Sequence, residues 1–312
     1  MDVQIKEIEY GSVDYAGLRA LWCEVFGDTP AYVDSFYENF GDDIRGYAVV
    51  DGSGEVCSAL TCHLCGTYRD RPVYVSYAVC TREDRRGRGF AAMLTSFVRD
   101  KVTEAGGISI VSPAEPSLIS YYAELGYEPH FFAVERAVMS PEFDFDEFDD
   151  FDEYDLDIEG ADPTPFRAEI DLQHMPAEKY NTYREAFLTD QPHIEPSSEM
   201  LRLVESESMN GCGLYSVNRG DAICAVSHAD PAKVILTELI LNPVLKELSF
   251  DIDSEIASMI ARHFGAAETW FRTPGQGGCQ SMACGLPDEP EEQTEEEYEY
   301  YYGEPYYGFP VE

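Results

Sequence analysis

The apolar run "VYVSYAV", residues 73–79, passes through "CTREDRRGRG" directly into a segment with apolar residues at helical spacing. Phe90, Met93, Leu94, Phe97, Val98 and Val102 recur at the intervals of one helix face, ended by Gly106 and Gly107. The unit is therefore a strand, a glycine loop and a helix. In such a loop Gly87 and Gly89 carry no Cβ, so a ligand oxygen can approach the chain closely. The first turn of the helix adds unpaired N–H donors and the positive end of its dipole. Arg85, Arg86 and Arg88 supply cationic arms suited to phosphate. The loop reads as a cradle for a phosphorylated ligand.

That basic patch is set in an acidic chain, with 21 Lys and Arg against 60 Asp and Glu over 312 residues, a net charge of −39. Two runs are extreme: residues 142–159 hold 11 acids and residues 288–299 hold 8, with no Lys or Arg in either. The remaining 41 acids still outnumber the bases. Nucleic acid and anionic membrane are poor partners for such a field, whereas cationic amines are drawn to it. Solubility, or adaptation to a salty cell, explains the same excess. No apolar run approaches the roughly 20 residues of a membrane span, and "MDVQIKEIEYG" has no signal-peptide pattern, which predicts a cytoplasmic protein. Nine cysteines follow no disulfide framework and fit a reducing compartment. "CHLC", Cys62 to Cys65, lies on a predicted strand without a second CxxC, so buried thiols are favoured over a metal site. His63, His130, His174, His193, His228 and His263 show no metal or triad spacing.

The length suggests two domains. Leu18, Leu21, Trp22, Val25 and Phe26, closed by Gly27, predict a first helix, and Tyr32, Val33, Phe36, Tyr37 and Phe40 a second. "GYAVVDGSGEVCSALTCHLCG" predicts two strands about a turn, "ISIVSP" another strand, "SLISYYAELGY" a helix and "PHFFAVERAVM" a closing strand. After the acidic run the order returns: "AICAVSHAD" and "KVILTELIL" as strands, Ile252, Ile256, Met259, Ile260 and Phe264 as a helix face, "ETWFRTP" as a strand. The turn before this second helix, "NPVLKELSFDID", has neither glycine nor arginine, and "TPGQGGCQSMACGL" reads as a loop.

The sequence lacks GxxxxGK[ST], and position 92 is Ala where the dinucleotide pattern GxGxxG needs Gly. Arg86, Gly87, Arg88, Gly89, Phe90 and Ala91 instead resemble the acetyl-CoA loop of the GCN5-related N-acetyltransferases, with Arg86, Gly89 and Ala91 at the defining positions. "YYAELGY", residues 121–127, is similar to that family's "FYEKLGF". The resemblance implies an α/β (α+β) fold, a mixed central β-sheet flanked by helices, in a catalytic unit at 1–140 that uses acetyl-CoA as co-substrate. An acidic linker at 141–165, a degenerate copy at 166–287 and an acidic tyrosine-rich tail at 288–312 would follow.

Carried over, the backbone of Arg86–Ala91 holds the pyrophosphate, Val79 and Thr81 meet the pantetheine arm, and Tyr122 protonates the leaving thiolate. The acceptor would be a small-molecule or peptide amine. Many relatives carry a Glu on the strand before the loop, and "VYVSYAVC" has none. Tyr74, Ser76 or Tyr77 through water, Glu24, Asp34, or the terminal carboxylate of Glu312, as in tandem acetyltransferases of the enhanced-intracellular-survival type, stand as alternatives for the base. The missing Glu also keeps open a non-catalytic acyl-CoA-binding or protein-interaction module.

Overall fold

The computed structural model describes residues 2–140, 170–206, 212–246, 251–287 and 305–308. The first stretch contains β1 (Val3–Ile8), α1 (Tyr15–Phe26), α2 (Pro30–Phe40), β2 (Ile44–Asp51), β3 (Val56–Tyr68), β4 (Arg71–Thr81), α3 (Phe90–Glu104), β5 (Ile108–Val111), α4 (Ser117–Glu124) and β6 (Glu128–Met139). The second half contains β7 (Leu172–His174), α5 (Ala177–Phe187), β8 (Glu195–Pro196), α6 (Ser198–Ser206), β9 (Gly213–Val217), β10 (Ala222–Ala229), β11 (Lys233–Leu241), α7 (Pro243–Lys246), α8 (Ile252–Phe264) and β12 (Glu268–Cys284). The first N-terminal helix stops where the sequence places its end, and a cap that the spacing does not reveal starts the second. Gly27 caps α1 in the left-handed conformation, and the Thr29 side chain accepts the Tyr32 N–H at 3.2 Å ahead of Pro30.

All twelve strands form one mixed sheet in the order β1-β2-β3-β4-β5-β12-β11-β10-β9-β7, with β6 also paired to β12 and β8 to β3. The halves exchange strands. Residues 268–273 of β12 lie between β11 and the end of β6, whereas residues 282–284 lie between β5 and the start of β6. A first unit ending at residue 140 and a second beginning at 166 therefore do not divide the sheet between them. "TPGQGGCQSMACGL", expected as a loop, is mostly strand. Its glycines permit an irregular crossing rather than a break: a Cβ on Gly277 would stand 2.0 Å from the Ala133 carbonyl oxygen.

One apolar core runs through both halves, joining Leu18, Trp22 and Phe36 to Tyr180, Leu201 and Tyr307. Tyr306 and Tyr307, expected in a tail, are buried in it, and Ile194 N–H donates to the Tyr306 carbonyl at 2.9 Å. Smaller cores lie under α8, α3 and α4. Phe26, Met93 and Phe97, read from spacing as core-facing, are exposed at the margins of their helices. Cys62 and Cys65 belong to cores on opposite faces of the sheet. No helix among the described residues is long and apolar enough to cross a membrane.

His63 is fully buried on β3 against the rings of Phe36, Phe40 and Tyr77, and neither ring nitrogen has a hydrogen-bond partner among the described residues. Burial keeps the ring neutral and pushes its pKa down from 6.5 to about 3. In the unfolded chain the ring protonates at its ordinary pKa. Its contribution is thus complete above pH 6.5 and is lost as pH falls toward 3, at up to about 1.4 kcal/mol per pH unit. His63→Phe is expected to flatten the fall in Tm between about pH 7 and pH 5. Equal slopes for variant and parent in thermal denaturation would place the acid sensitivity elsewhere.

Candidate active site

The site begins with an irregularity in β4. Ala59 registers with Cys80 and Thr61 with Tyr77, so Ala78 and Val79 together face Leu60, and Ala78 takes φ +50°. This bulge bends the strand. Parallel pairing with β5 covers only Val73, Tyr74 and Val75, and beyond them the two strands part. Cys80 registers with β3, and Arg82 N–H donates to the Cys57 carbonyl at 3.0 Å. Alternation along the strand turns the main-chain groups of Val79 and Thr81 to the side that β5 has left. The Thr81 carbonyl accepts from Arg86 Nε at 3.3 Å, consistent with that outward direction.

The loop follows at once. Gly87 and Gly89 adopt φ +74° and +77°, a region that favours glycine, and Gly89 is the cap of α3. A Cβ at either glycine would meet nothing within 4 Å, so the loop borders open space. The N–H groups of the first helical turn at Phe90 and Ala91 have no acceptor within the helix. Phe90 is buried against the α3 core with Leu94 and Val98, which anchors the turn and leaves only its backbone for a ligand. Arg86 and Arg88 are exposed. Arg85 differs from expectation: its guanidinium reaches back to Glu55 at 3.1 Å and Asp51 at 3.4 Å, on the β2–β3 turn. Arg82 also pairs with Glu55. These two arginines brace the loop, so the arms directed outward are Arg86 and Arg88.

Tyr122 comes from α4. It is 8% exposed on α4 and packs with Val111, Tyr127 and Met282 at the end of β5, where β4 departs. Burial, with Tyr121 alongside, pushes its phenol up to about 12, so the group is neutral and carries a proton near neutral pH. Tyr127 is fixed beside it by a 2.9 Å bond to Ser109 Oγ. Val79 and Thr81 thus lead into the Arg86–Ala91 loop, and Tyr122 packs beside Val111, next to the point where β4 and β5 part.

Among the candidate bases, Asp34 is committed to Tyr15 OH at 2.9 Å and Arg19 at 2.7 Å. Tyr74 packs on the α3 side of the sheet and Tyr77 on the α1 side. Glu24 lines a cleft of about 390 Å³ with Val13, Gly17, Glu55, Val56 and Arg82, near the end of β4. Glu312 lies outside the described residues. Sequence reasoning missed Met282 in the wall behind Tyr122, because it sits in the stretch read as a loop.

A bulged fourth strand parting from the fifth, a glycine loop capping the next helix and a second half built on the same order form a fold that solved GCN5-related N-acetyltransferases share. No family model matches the sequence, and no curated protein matches it. Solved structures share the fold at low identity. A probable N-acyltransferase of Enterococcus faecalis superposes with a TM-score of 0.62 at 9% identity, covering 91% of this chain and 72% of that one. A GCN5-related N-acetyltransferase from Anabaena variabilis gives 0.60 at 12% identity, covering 90% and 72%. A tandem protein of this fold from the clavulanic acid biosynthesis pathway gives 0.51 at 13% identity, covering 92% of this chain and all of that one.

Proposed function

We propose that the protein is a cytoplasmic N-acetyltransferase that moves the acetyl group of acetyl-CoA to the primary amine of a small molecule or peptide. The observation that carries this reading is the loop: two glycines at positive φ, open space where their side chains would be, and a helix N-terminus beside a strand whose outer edge is unpaired. Backbone N–H groups of Gly87, Gly89 and Ala91 bind the pyrophosphate, with Arg86 and Arg88 outside it. Val79 and Thr81 hydrogen-bond the pantetheine arm as a missing strand would. The Val79 N–H polarises the thioester carbonyl while the neutral amine attacks the carbonyl carbon. When the tetrahedral intermediate collapses, the C–S bond breaks, Tyr122 passes its proton to the thiolate, and the proton shed by the acceptor nitrogen passes through water to the phenolate left on Tyr122. The acceptor enters on the α1 side, where Asp14, Glu24 and Glu55 line the cleft and the chain's negative field favours a cation. The first half performs the chemistry, and the second contributes no coenzyme site.

Gly89→Val tests the reading. Open space accommodates the side chain, while φ +77° strains it by about 1–3 kcal/mol, so the variant is expected to fold with reduced stability while losing roughly 10- to 100-fold in affinity for coenzyme A, the equivalent of one or two charge-assisted hydrogen bonds. Titration calorimetry with unchanged affinity would remove the basis for the assignment. The absence of a Glu on β4 favours one other reading, an acyl-CoA-binding module without turnover. Bound coenzyme A with no thiol release across a broad amine panel would select that reading.

A further inference from the structure

The second half has no glycine loop, yet it is built into the first half at the place where Tyr122 is held. Helix α4 joins β5 to β6, and these two strands are not neighbours. The slot between them is filled by β12, with Met282 registered to Val111 on one side and Pro129 on the other. In passing from β5 to β6, α4 therefore crosses a strand of the second half. Below it, Cys279, Met282 and Cys284 form one apolar cluster with Leu118, Tyr122 and Leu125, and Met282 is fully buried.

Two further features fix that strand. Ser281 Oγ and Ser112 Oγ are 2.7 Å apart, tying β12 to the first residue after β5. The Gly277 backbone lies so close to Ala133 that only glycine fits, which restrains the approach of β12 to β6. Helix α4 has eight residues, too few to be stable without a packed face. The orientation of its side chains is set by the floor beneath.

We propose that Met282, contributed by the second half, is a positioning residue for Tyr122: it forms the floor that aims the phenol into the opening between β4 and β5. The second half thereby completes the acid site of the first. This rests on the reading of Tyr122 as the proton donor. A misplacement of about 1 Å in such a group can cost on the order of 100-fold in rate, so the floor matters to kcat more than to coenzyme affinity, which is set at the loop.

The test is a double-mutant cycle on the full chain, with acetyl-CoA and spermidine, tyramine and a peptide bearing a free α-amine as probe acceptors. Met282→Ala is expected to lower kcat about tenfold, with the coenzyme A Kd changed less than about twofold, and Met282→Leu to restore kcat. In a Tyr122→Phe background Met282→Ala should have no further effect on kcat, whereas a general loss of packing would add in full. A parallel measurement needs no turnover: 3-fluorotyrosine placed at position 122 and followed by 19F NMR. Met282→Ala, or Met282→Val if the alanine variant does not fold, should admit water and lower the phenol titration relative to the same label in the parent chain. An unchanged resonance and titration, or additive losses in the cycle, overturns the proposal. Undiminished turnover in Tyr122→Phe alone would instead sink the acid assignment, leaving the NMR result to decide whether Met282 seats the ring.

Discussion

A chain cut after residue 140 is expected to yield no cooperatively folded domain and no coenzyme A binding, although it retains every residue of the glycine loop and Tyr122. The reason is the exchanged strand. Without β12 the facing edges of β5 and β6 lose their partner, and the main-chain groups of Ser109–Val111 and Glu128–Pro129 face a slot that nothing fills. Each buried backbone group left unpaired costs about 1–3 kcal/mol, and several are exposed together. The floor under α4 disappears with Met282, and β3 loses β8 opposite Gly66 and Thr67. Together these losses are comparable to the roughly 5–15 kcal/mol that stabilises an ordinary domain. Circular dichroism in a urea series should show no sigmoidal transition for residues 1–140, and coexpression with residues 166–312 should restore it. A monomeric fragment that unfolds cooperatively and binds coenzyme A would show that the halves are separable after all.

The parts of this molecule that the sequence reveals are those whose determinants are local. The strand, loop and helix from Val73 to Val102 announce themselves through a change of period and two glycines, and the structure places Gly87 and Gly89 in the left-handed region with open space beside them. The helix closed by Gly27 is legible for the same reason. What escapes is whatever depends on partners distant in sequence. Arg85 looks like a phosphate arm until Asp51 and Glu55 on another turn are brought against it. "PGQGGCQSMAC" carries the residues of a loop, because glycine weakens a strand in isolation. Here the glycines allow β12 to cross β6 closely and change neighbours, and that requirement exists only once β6 is in place. Tyr306 and Tyr307 sit beside an acidic run and read as tail. They are buried because the interface between the halves offers them apolar surface and bonded backbone. The loop of the candidate site was therefore visible in the sequence, and the seat of Tyr122 was not.

Arg184→Ala is expected to destabilise the protein by about 3–5 kcal/mol, among the largest effects of any single substitution away from the site. Arg184 and Glu238 are both fully buried, Arg184 Nε bonding the two carboxylate oxygens at 2.9 and 3.1 Å. The remaining guanidinium groups donate to the carbonyls of Ile194 at 2.9 Å and Tyr307 at 3.0 Å, so one side chain joins α5, β11 and the 305–308 segment. Removing it leaves a carboxylate in the core without its cationic partner, the Tyr180 hydroxyl standing at 3.3 Å. Burial already pushes the Glu238 carboxyl up, and Arg184 opposes that shift. In the alanine variant the shift is larger and the folded protein holds Glu238 protonated. A carboxyl whose folded pKa lies above its unfolded one stabilises fully below the unfolded value, and that contribution is lost as pH rises through the folded value. The variant should therefore lose least stability near about pH 4–5 and most above neutrality. Glu238→Gln in the same background should recover part of the loss at neutral pH by removing the charge while keeping the shape. Urea denaturation at both pH values checks this: a deficit under about 1 kcal/mol, or one that does not grow with pH, would mean that water or rearrangement supplies what the guanidinium gives. The contrast with a partly exposed pair such as Lys6 and Asp14, 3.0 Å apart, whose loss should cost at most about 1 kcal/mol, points to burial rather than the ion pair itself as what makes Arg184 hard to replace.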